Sequence, residues 1–138
     1  AYRYLCRHAD RIAAAVIVEG TNVSGCEPSA PLPLLHVAGT ADRVVPYKGG
    51  TSTAGVLLGS GDFPPVVESV AKVAAAMGCG ATPAESQPVA AVTVRSWSGC
   101  RGDGRVELDT IDGQQHAWPT GSPYPATDHA LAFLGLSG

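Results

Sequence analysis

Two stretches of the chain hold residue types that move protons. The first, His36-Val37-Ala38-Gly39-Thr40-Ala41-Asp42-Arg43-Val44-Val45-Pro46-Tyr47, leaves an apolar run through Gly39 and reaches an aspartate. The second, Asp112-Gly113-Gln114-Gln115-His116-Ala117-Trp118-Pro119, sets a histidine in a polar loop after another candidate strand. An aspartate and a later histidine on neighbouring strand ends are two of the three parts of a Ser-Asp-His relay. There the carboxylate fixes the imidazole tautomer and steadies its cation, while the imidazole moves protons for a serine nucleophile. Taken alone, Asp42 is an ordinary turn former and His116 an ordinary loop histidine. Their place after strands is what assigns them chemistry.

The relay needs a serine, and no suitable one precedes Asp42. Ser52, in Gly50-Thr51-Ser52-Thr53-Ala54, and Ser60, between Gly59 and Gly61, lie among glycines. Neither has a strand leading in and a helix leading out, so both read as loop. Trp118 has two readings: the wall of an acyl or aromatic subsite, or a hydrophobic plug under the loop. His36 lies inside an apolar strand and reads as a satisfied core residue. His129 sits beside Asp128 in a helix, as an exposed or capping pair, and His8 is helical. The four histidines lack metal-ligand spacing, so neither a metal nor any other cofactor is inferred.

The elements that position these residues follow from periodicity. Residues 1–9 read as the tail of a helix. Ile12 to Val18 is a continuous apolar run suited to a strand buried on both faces, and Leu34 to Ala38 is a second. Residues 42–61 carry two Gly-rich stretches and read as surface loop. Phe63 to Gly78 reads as the clearest helix: Pro64 and Pro65 fit a first turn, and Val66, Val70, Val73 and Met77 form one apolar stripe. Glu68 and Lys72 pair on its outer face, and Gly78 ends it. Val89 to Trp97 reads as a strand. Arg105 to Ile111 alternates Val106 and Leu108 with Glu107 and Asp109, as a half-exposed strand does. A helix over Ala126 to Leu136 closes the chain, with Leu131, Phe133 and Leu134 as packing residues. Helices interleaved with short buried strands predict an α/β layered fold with a mainly parallel sheet. Such sheets bind ligands at their strands' carboxyl ends, which singles out the loops after Val18, Ala38 and Ile111.

Composition narrows the partners. The 138 residues suffice for one domain, and 45% hydrophobic content suffices for a core. Net charge is −3 and the nine basic residues do not cluster, which argues against nucleic acid. The Ile12 to Val18 run is too short to cross a bilayer, so no membrane partner is expected. Four cysteines, Cys6, Cys26, Cys79 and Cys100, allow three pairings, and none has C-x-x-C spacing. The local pattern favours Cys6–Cys26 and Cys79–Cys100, each worth roughly 3 kcal/mol on the chain-entropy argument. An even number of cysteines in Gly- and Pro-rich surroundings favours an extracellular setting over four free thiols.

Several segments together resemble the secreted polyhydroxybutyrate-depolymerase-type esterases of the α/β-hydrolase family, which includes feruloyl and acetylxylan esterases. They are Ala1-Tyr2-Arg3, Cys6 and Ala9-Asp10-Arg11; Leu35 to Asp42 with Val44-Val45-Pro46-Tyr47; and Val70-Ala71 leading to Gly78-Cys79-Gly80. Gly99-Cys100, Val106-Glu107-Leu108 and His116-Ala117-Trp118-Pro119 complete the set. The resemblance implies that Asp42 is the triad acid, His116 the base, and Cys79–Cys100 a family disulfide joining a helix end to a strand end. It implies the C-terminal half of an α/β-hydrolase domain, secreted, acting on polymeric or plant-cell-wall esters such as polyesters or hydroxycinnamoyl and acetyl polysaccharides. Gln114-Gln115 stands where the family often has Gly-Gly, and Arg43 where proline is common. The family's serine elbow would fall roughly six residues before Ala1, so both the nucleophile and the oxyanion donors would lie outside these residues.

Two other classes compete: an α/β-hydrolase peptidase fragment, and a non-catalytic secreted binding module. The coding sequence upstream discriminates all three. Two outcomes are expected. Asp42 and His116 meet within hydrogen-bond reach, and the 138-residue chain by itself does not turn over a p-nitrophenyl ester. Turnover that His116→Ala abolishes would place the nucleophile within the chain.

Overall fold

The computed structural model describes every residue except Leu58, Ser60, Ser137 and Gly138. The chain opens with helix α1 (Tyr2–His8), extended by a 3-10 turn over Ala9–Arg11. Strands β1 (Ala15–Val18) and β2 (Pro33–Gly39) follow, then helices α2 (Thr53–Leu57) and α3 (Val66–Ala76). Strands β3 (Ala84–Val89), β4 (Val92–Trp97) and β5 (Arg105–Ile111) come next, and helix α4 (Ala126–Phe133) is the last element described.

The sheet runs in the order β1-β2-β5-β4-β3. β1, β2 and β5 are parallel, whereas β4 and β3 run antiparallel to their neighbours. This corrects the expectation of the C-terminal portion of an α/β-hydrolase fold with a mainly parallel sheet flanked by helices. The structure is a small mixed five-stranded sheet with few and short helices, pinned by two disulfides. The reason is the length of the connections. Only Ala90 and Ala91 separate β3 from β4, and residues 98–104 separate β4 from β5. Neither can hold the crossover of a dozen or more residues that parallel neighbours require.

β3 has no counterpart in the periodicity. All six of its residues are exposed, and Pro88 removes a ladder donor, so it carries no buried face that a sequence pattern would register. β5 was expected to be half exposed. It is instead central, flanked by β2 and β4, with Asp109 and Thr110 buried beside Leu108.

Alternation along the strands divides the core into two faces. Ile17, Leu34, Ala38, Trp97, Val106 and Leu108 meet α1 and α3 on one side. Leu35, Val37, Val92 and Ile111 meet Tyr124 and α4 on the other. The α3 stripe is as expected: Val66, Val70, Val73 and Met77 are all essentially inaccessible, and Glu68 and Lys72 face solvent. The helix begins at Val66 rather than Phe63, because the Phe63 backbone pairs with Gly50 in an isolated bridge. At its other end Gly78, at φ +77°, turns the chain so that the Cys79 amide reaches the Ala74 carbonyl. The Arg101 guanidinium covers the Ala76 carbonyl at 2.6 Å. Two further expectations change. The 42–61 loop contains the short helix α2, and on α4 Leu131 and Leu134 are partly exposed while Ala126 and Ala130 are buried.

Both favoured cysteine pairs are bridged. Cys6–Cys26 ties α1 to the long β1–β2 connection, where the Asn22 side chain bonds Cys26 and the Asn22 amide reaches Ser69 of α3. Cys79–Cys100 joins the end of α3 to the β4–β5 connection.

Under α4, Asp109 and the Tyr124 hydroxyl form a buried hydrogen bond, and His129 stacks on the Tyr124 ring at 3.9 Å. Burial, reinforced by the Glu107 charge and opposed by the Tyr124 hydroxyl, pushes the Asp109 carboxyl up to about 6. A carboxyl raised in the folded state binds its proton more tightly there than in the unfolded chain. It therefore costs stability as pH rises from about 4 through 6. Asp109→Asn, whose carbonyl can still accept from Tyr124, is expected to stabilise the chain at pH 7 by up to about 3 kcal/mol. That gain should vanish near pH 4, as urea unfolding at the two pH values will show.

Candidate active site

Glu19, Asp42 and His116 sit at the carboxyl ends of the three parallel strands. β1 ends at Val18 and presents Glu19, β2 ends at Gly39 and leads to Asp42, and β5 ends at Ile111 and leads to His116. The geometry begins with backbone. The Thr40 amide bonds the Ile111 carbonyl at 3.0 Å, and the Ala41 amide bonds the Gln114 carbonyl at 3.0 Å. The Thr40 hydroxyl donates to Asp112 Oδ1 at 2.8 Å and accepts from the Gly113 amide at 2.9 Å. The two loops are thus laced together. Gly39 permits it, because a Cβ there would lie 2.2 Å from the Gln114 carbonyl oxygen. No side chain fits that gap.

The lacing brings Asp42 and His116 together. His116 Nδ1 donates to Asp42 Oδ2 at 2.8 Å, and Asp42 Oδ1 accepts from the Val44 and Val45 amides at 2.7 and 2.8 Å. The Asp42 side chain is 1% exposed and that of His116 38% exposed. Burial would push the Asp42 carboxyl up, but the donors around it, His116 foremost and the Val44 and Val45 amides with it, outweigh burial and hold it below its usual range. With Nδ1 committed to a carboxylate, Nε2 is the nitrogen left to take up and release a proton. The two side chains meet within hydrogen-bond reach, as their strand-end placement predicts.

Glu19 is the member that periodicity did not reveal. It follows β1 with φ +50°, its amide reaches the Val37 carbonyl at 2.9 Å, and its Oε2 accepts from the Gly39 amide at 3.1 Å. Burial first, then the Asp42 carboxyl beside it, push Glu19 up to about 8 against the pull of the Gly39 amide. The available signal is its position: the loop after Val18 is one of three at strand carboxyl ends, and Glu19 is its first residue. The ligand atoms of Glu19, Asp42 and His116 lie within 4.8 Å of one another. Both Asp42 oxygens and His116 Nδ1 are nevertheless spent on hydrogen bonds within the protein, an arrangement for orienting an imidazole rather than for caging a cation.

Trp118 stands beside the dyad. Its ring is half exposed and fixed by a hydrogen bond from Nε1 to Thr127 Oγ1 at 3.1 Å. With Val18, Glu19, His116 and Ala117 it lines a cleft of about 180 Å³. A larger cavity of about 710 Å³ lies elsewhere, bounded by Val23, Phe63, Ser69 and Lys72, away from the dyad.

The remaining candidates resolve as structure. Ser52 donates to the Val44 carbonyl at 2.7 Å and accepts from the Gly55 amide, so it fastens the loop that carries Asp42. Ser60 lies outside the described residues. His36 is fully buried, with Nδ1 on the Tyr2 hydroxyl at 2.7 Å and no hydrogen-bond partner at Nε2, so as a core histidine it is only half satisfied. Burial drives its imidazole down to about 4, against a pull from the Gly20 backbone, and keeps it neutral.

The fold and site together define a mixed α/β sheet that presents a hydrogen-bonded Asp42–His116 pair at the ends of its parallel strands. Profiles of known protein families give no match to the chain. The chain is similar to feruloyl esterase B of Piromyces equi, with 34% identity over 122 residues that take in 81% of this chain. It spans 22% of that protein's length. An esterase relationship is supported at that level.

Asp42 should hold its own loop as well as the imidazole. Hydrogen bonds to a charged acceptor contribute roughly 1.5–3 kcal/mol, so Asp42→Ala is expected to speed amide exchange at Val44 and Val45 by roughly 10- to 100-fold. Exchange in β2 and β5 should be unchanged in the same hydrogen-exchange run. Equal protection at Val44 and Val45 would mean the loop holds itself.

Proposed function

We propose that the chain is part of a serine carboxylic ester hydrolase of the polyhydroxybutyrate-depolymerase type, and that it supplies the acid, Asp42, and the base, His116. The observation that carries the reading is the 2.8 Å bond between His116 Nδ1 and a buried Asp42 whose other oxygen is held by two amides. Similarity to part of a feruloyl esterase supports an ester as the substrate. In this reading the serine is supplied by a part of the protein outside this chain, which spans 22% of its relative's length.

In this mechanism His116 Nε2 takes the proton of the serine as its oxygen attacks the ester carbonyl. The imidazolium formed is stabilised by Asp42 and returns the proton to the leaving alcohol. Water then attacks the acyl-serine, with His116 as base again, and the acid departs. Trp118 offers a fixed aromatic face beside this chemistry, suited to stacking a hydroxycinnamoyl ring. The substrates are hydroxycinnamoyl or acetyl polysaccharides or polyesters, met outside the cell. The two disulfides fit an oxidising compartment.

The test uses the intact protein that contains this chain, assayed on methyl ferulate, a p-nitrophenyl acetate and a polyhydroxybutyrate film. Hydrolysis of at least one is expected, with His116→Ala lowering kcat/KM by about 10³-fold or more. Trp118→Ala is expected to raise KM about tenfold for the feruloyl ester and to leave the acetyl ester unchanged, since a lost ring contact removes roughly 1.4 kcal/mol. An intact protein inert on all three esters, or a His116→Ala variant with full activity, would overturn the reading.

A further inference from the structure

Glu19 and Asp42 are two buried carboxyl groups placed side by side, and their protonation decides what the dyad can do. Glu19 is 7% exposed, and its Oε2 already accepts from the Gly39 amide. No hydrogen-bond donor meets Oε1, although that atom is fully buried. Asp42 lies next to it, with Oδ1 and Oδ2 both engaged as acceptors of N–H groups. Two ionised carboxylates in that position would repel, and one would leave a charged oxygen buried without a donor. A single proton between them removes both costs.

We propose that Glu19 is a neutral carboxylic acid whose proton is donated to Asp42, making Glu19 a positioning residue that holds the Asp42 carboxylate against His116. The three groups then form a row across the ends of β1, β2 and β5: an acid, a carboxylate and an imidazole. Each donates to or accepts from the next, and only the last is open to solvent. The direction of each carboxyl agrees with this placement of the proton. Glu19 is pushed up to about 8, by burial and then by Asp42, and Asp42 is held down. The titratable groups facing Glu19 are Asp42, from the loop after β2, and His116, from the loop after β5. Its own strand, Ala15–Val18, contributes none.

The arrangement carries a pH dependence. Below about 8 the acid donates, and Asp42 bears the one negative charge of the pair. Above it Glu19 ionises, the donated hydrogen bond is lost, and the two carboxylates repel. The importance of this for catalysis rests on the ester-hydrolase reading, whereas the shared proton does not.

Two measurements separate those statements. In the first, the chain carries carboxyl-¹³C glutamate, and each of its five glutamates is followed by NMR from pH 3 to pH 10. Glu19 is expected to titrate near 8. A Glu19 midpoint at or below the ordinary range would overturn the proposal. The second compares Glu19→Gln, Glu19→Ala and the unaltered intact protein in ester hydrolysis. The glutamine amide can donate to Asp42 and accept from Gly39, but it cannot ionise. Glu19→Ala is expected to lose about tenfold in kcat with KM little changed, and Glu19→Gln to recover most of that loss. The unaltered protein is expected to lose rate above pH 8, and Glu19→Gln to abolish that fall. A glutamine variant as impaired as the alanine variant, or one keeping the alkaline fall, would overturn the positioning role. If the intact protein hydrolyses no ester but Glu19 titrates near 8, the shared proton stands and the esterase reading falls.

Discussion

The site depends on one close approach of backbone to backbone, where β2 runs out at Gly39 and passes the loop that follows β5. Hydrogen bonds from Thr40 and Ala41 to Ile111 and Gln114 continue the parallel ladder beyond the strands, so the two loops leave the sheet locked in register. Asp42 and His116 are 74 positions apart in the chain. Bringing them within hydrogen-bond reach demands that both loops be fixed to within a fraction of an ångström, which side chains on free loops do not achieve. The bare Cα of Gly39 allows it: any larger residue would hold Gln114 away and part the aspartate from the histidine.

Around this point the structure buries several titratable side chains. The centre of the sheet holds polar groups on both faces, His36 against Tyr2 on one and Asp109 against Tyr124 on the other, each neutral or tied to a hydroxyl. The strand ends hold Glu19 and Asp42, and beyond them His116 stands partly in solvent. The exposed group is thus the imidazole, and the carboxyl groups that orient it are buried behind it.

Much of this was legible in the residues, for reasons that differ by element. The α3 stripe of Val66, Val70, Val73 and Met77 is periodic and buried, so helix and face could both be read. The apolar runs of β1 and β2 and the alternation of β5 marked three of the strands, and with them the strand ends where Asp42 and His116 stand. β3 was not legible, because an exposed strand held by its neighbour and by the Glu85–Arg95 pair leaves no hydrophobic period to find. Missing it concealed the antiparallel half and led to the mainly parallel expectation. Asp109 misled in the opposite sense: alternation marks a charged residue as outward, and only Tyr124, 15 residues on, makes its burial tolerable. Glu19 escaped because its meaning lies in contacts with Gly39 and Asp42, which come from another strand end.

The two margins of the sheet are unlike. Along β3 every side chain is solvated, Pro88 has no amide hydrogen to offer, and Glu85 pairs with Arg95, features that discourage a further strand. Along β1 the residues are apolar, with Ile17 buried and Ala15, Val16 and Val18 partly covered, and a small groove of about 200 Å³ lies between Ala15, Val16, Ile17 and α1. Of the two margins, β1 is the one whose apolar residues suit a further strand. A strand that joined β1 in parallel would bring its own carboxyl end beside Glu19, next in line to the acid, the carboxylate and the imidazole. Among the described residues β1 has no outer neighbour, and its margin is the one that borders the row.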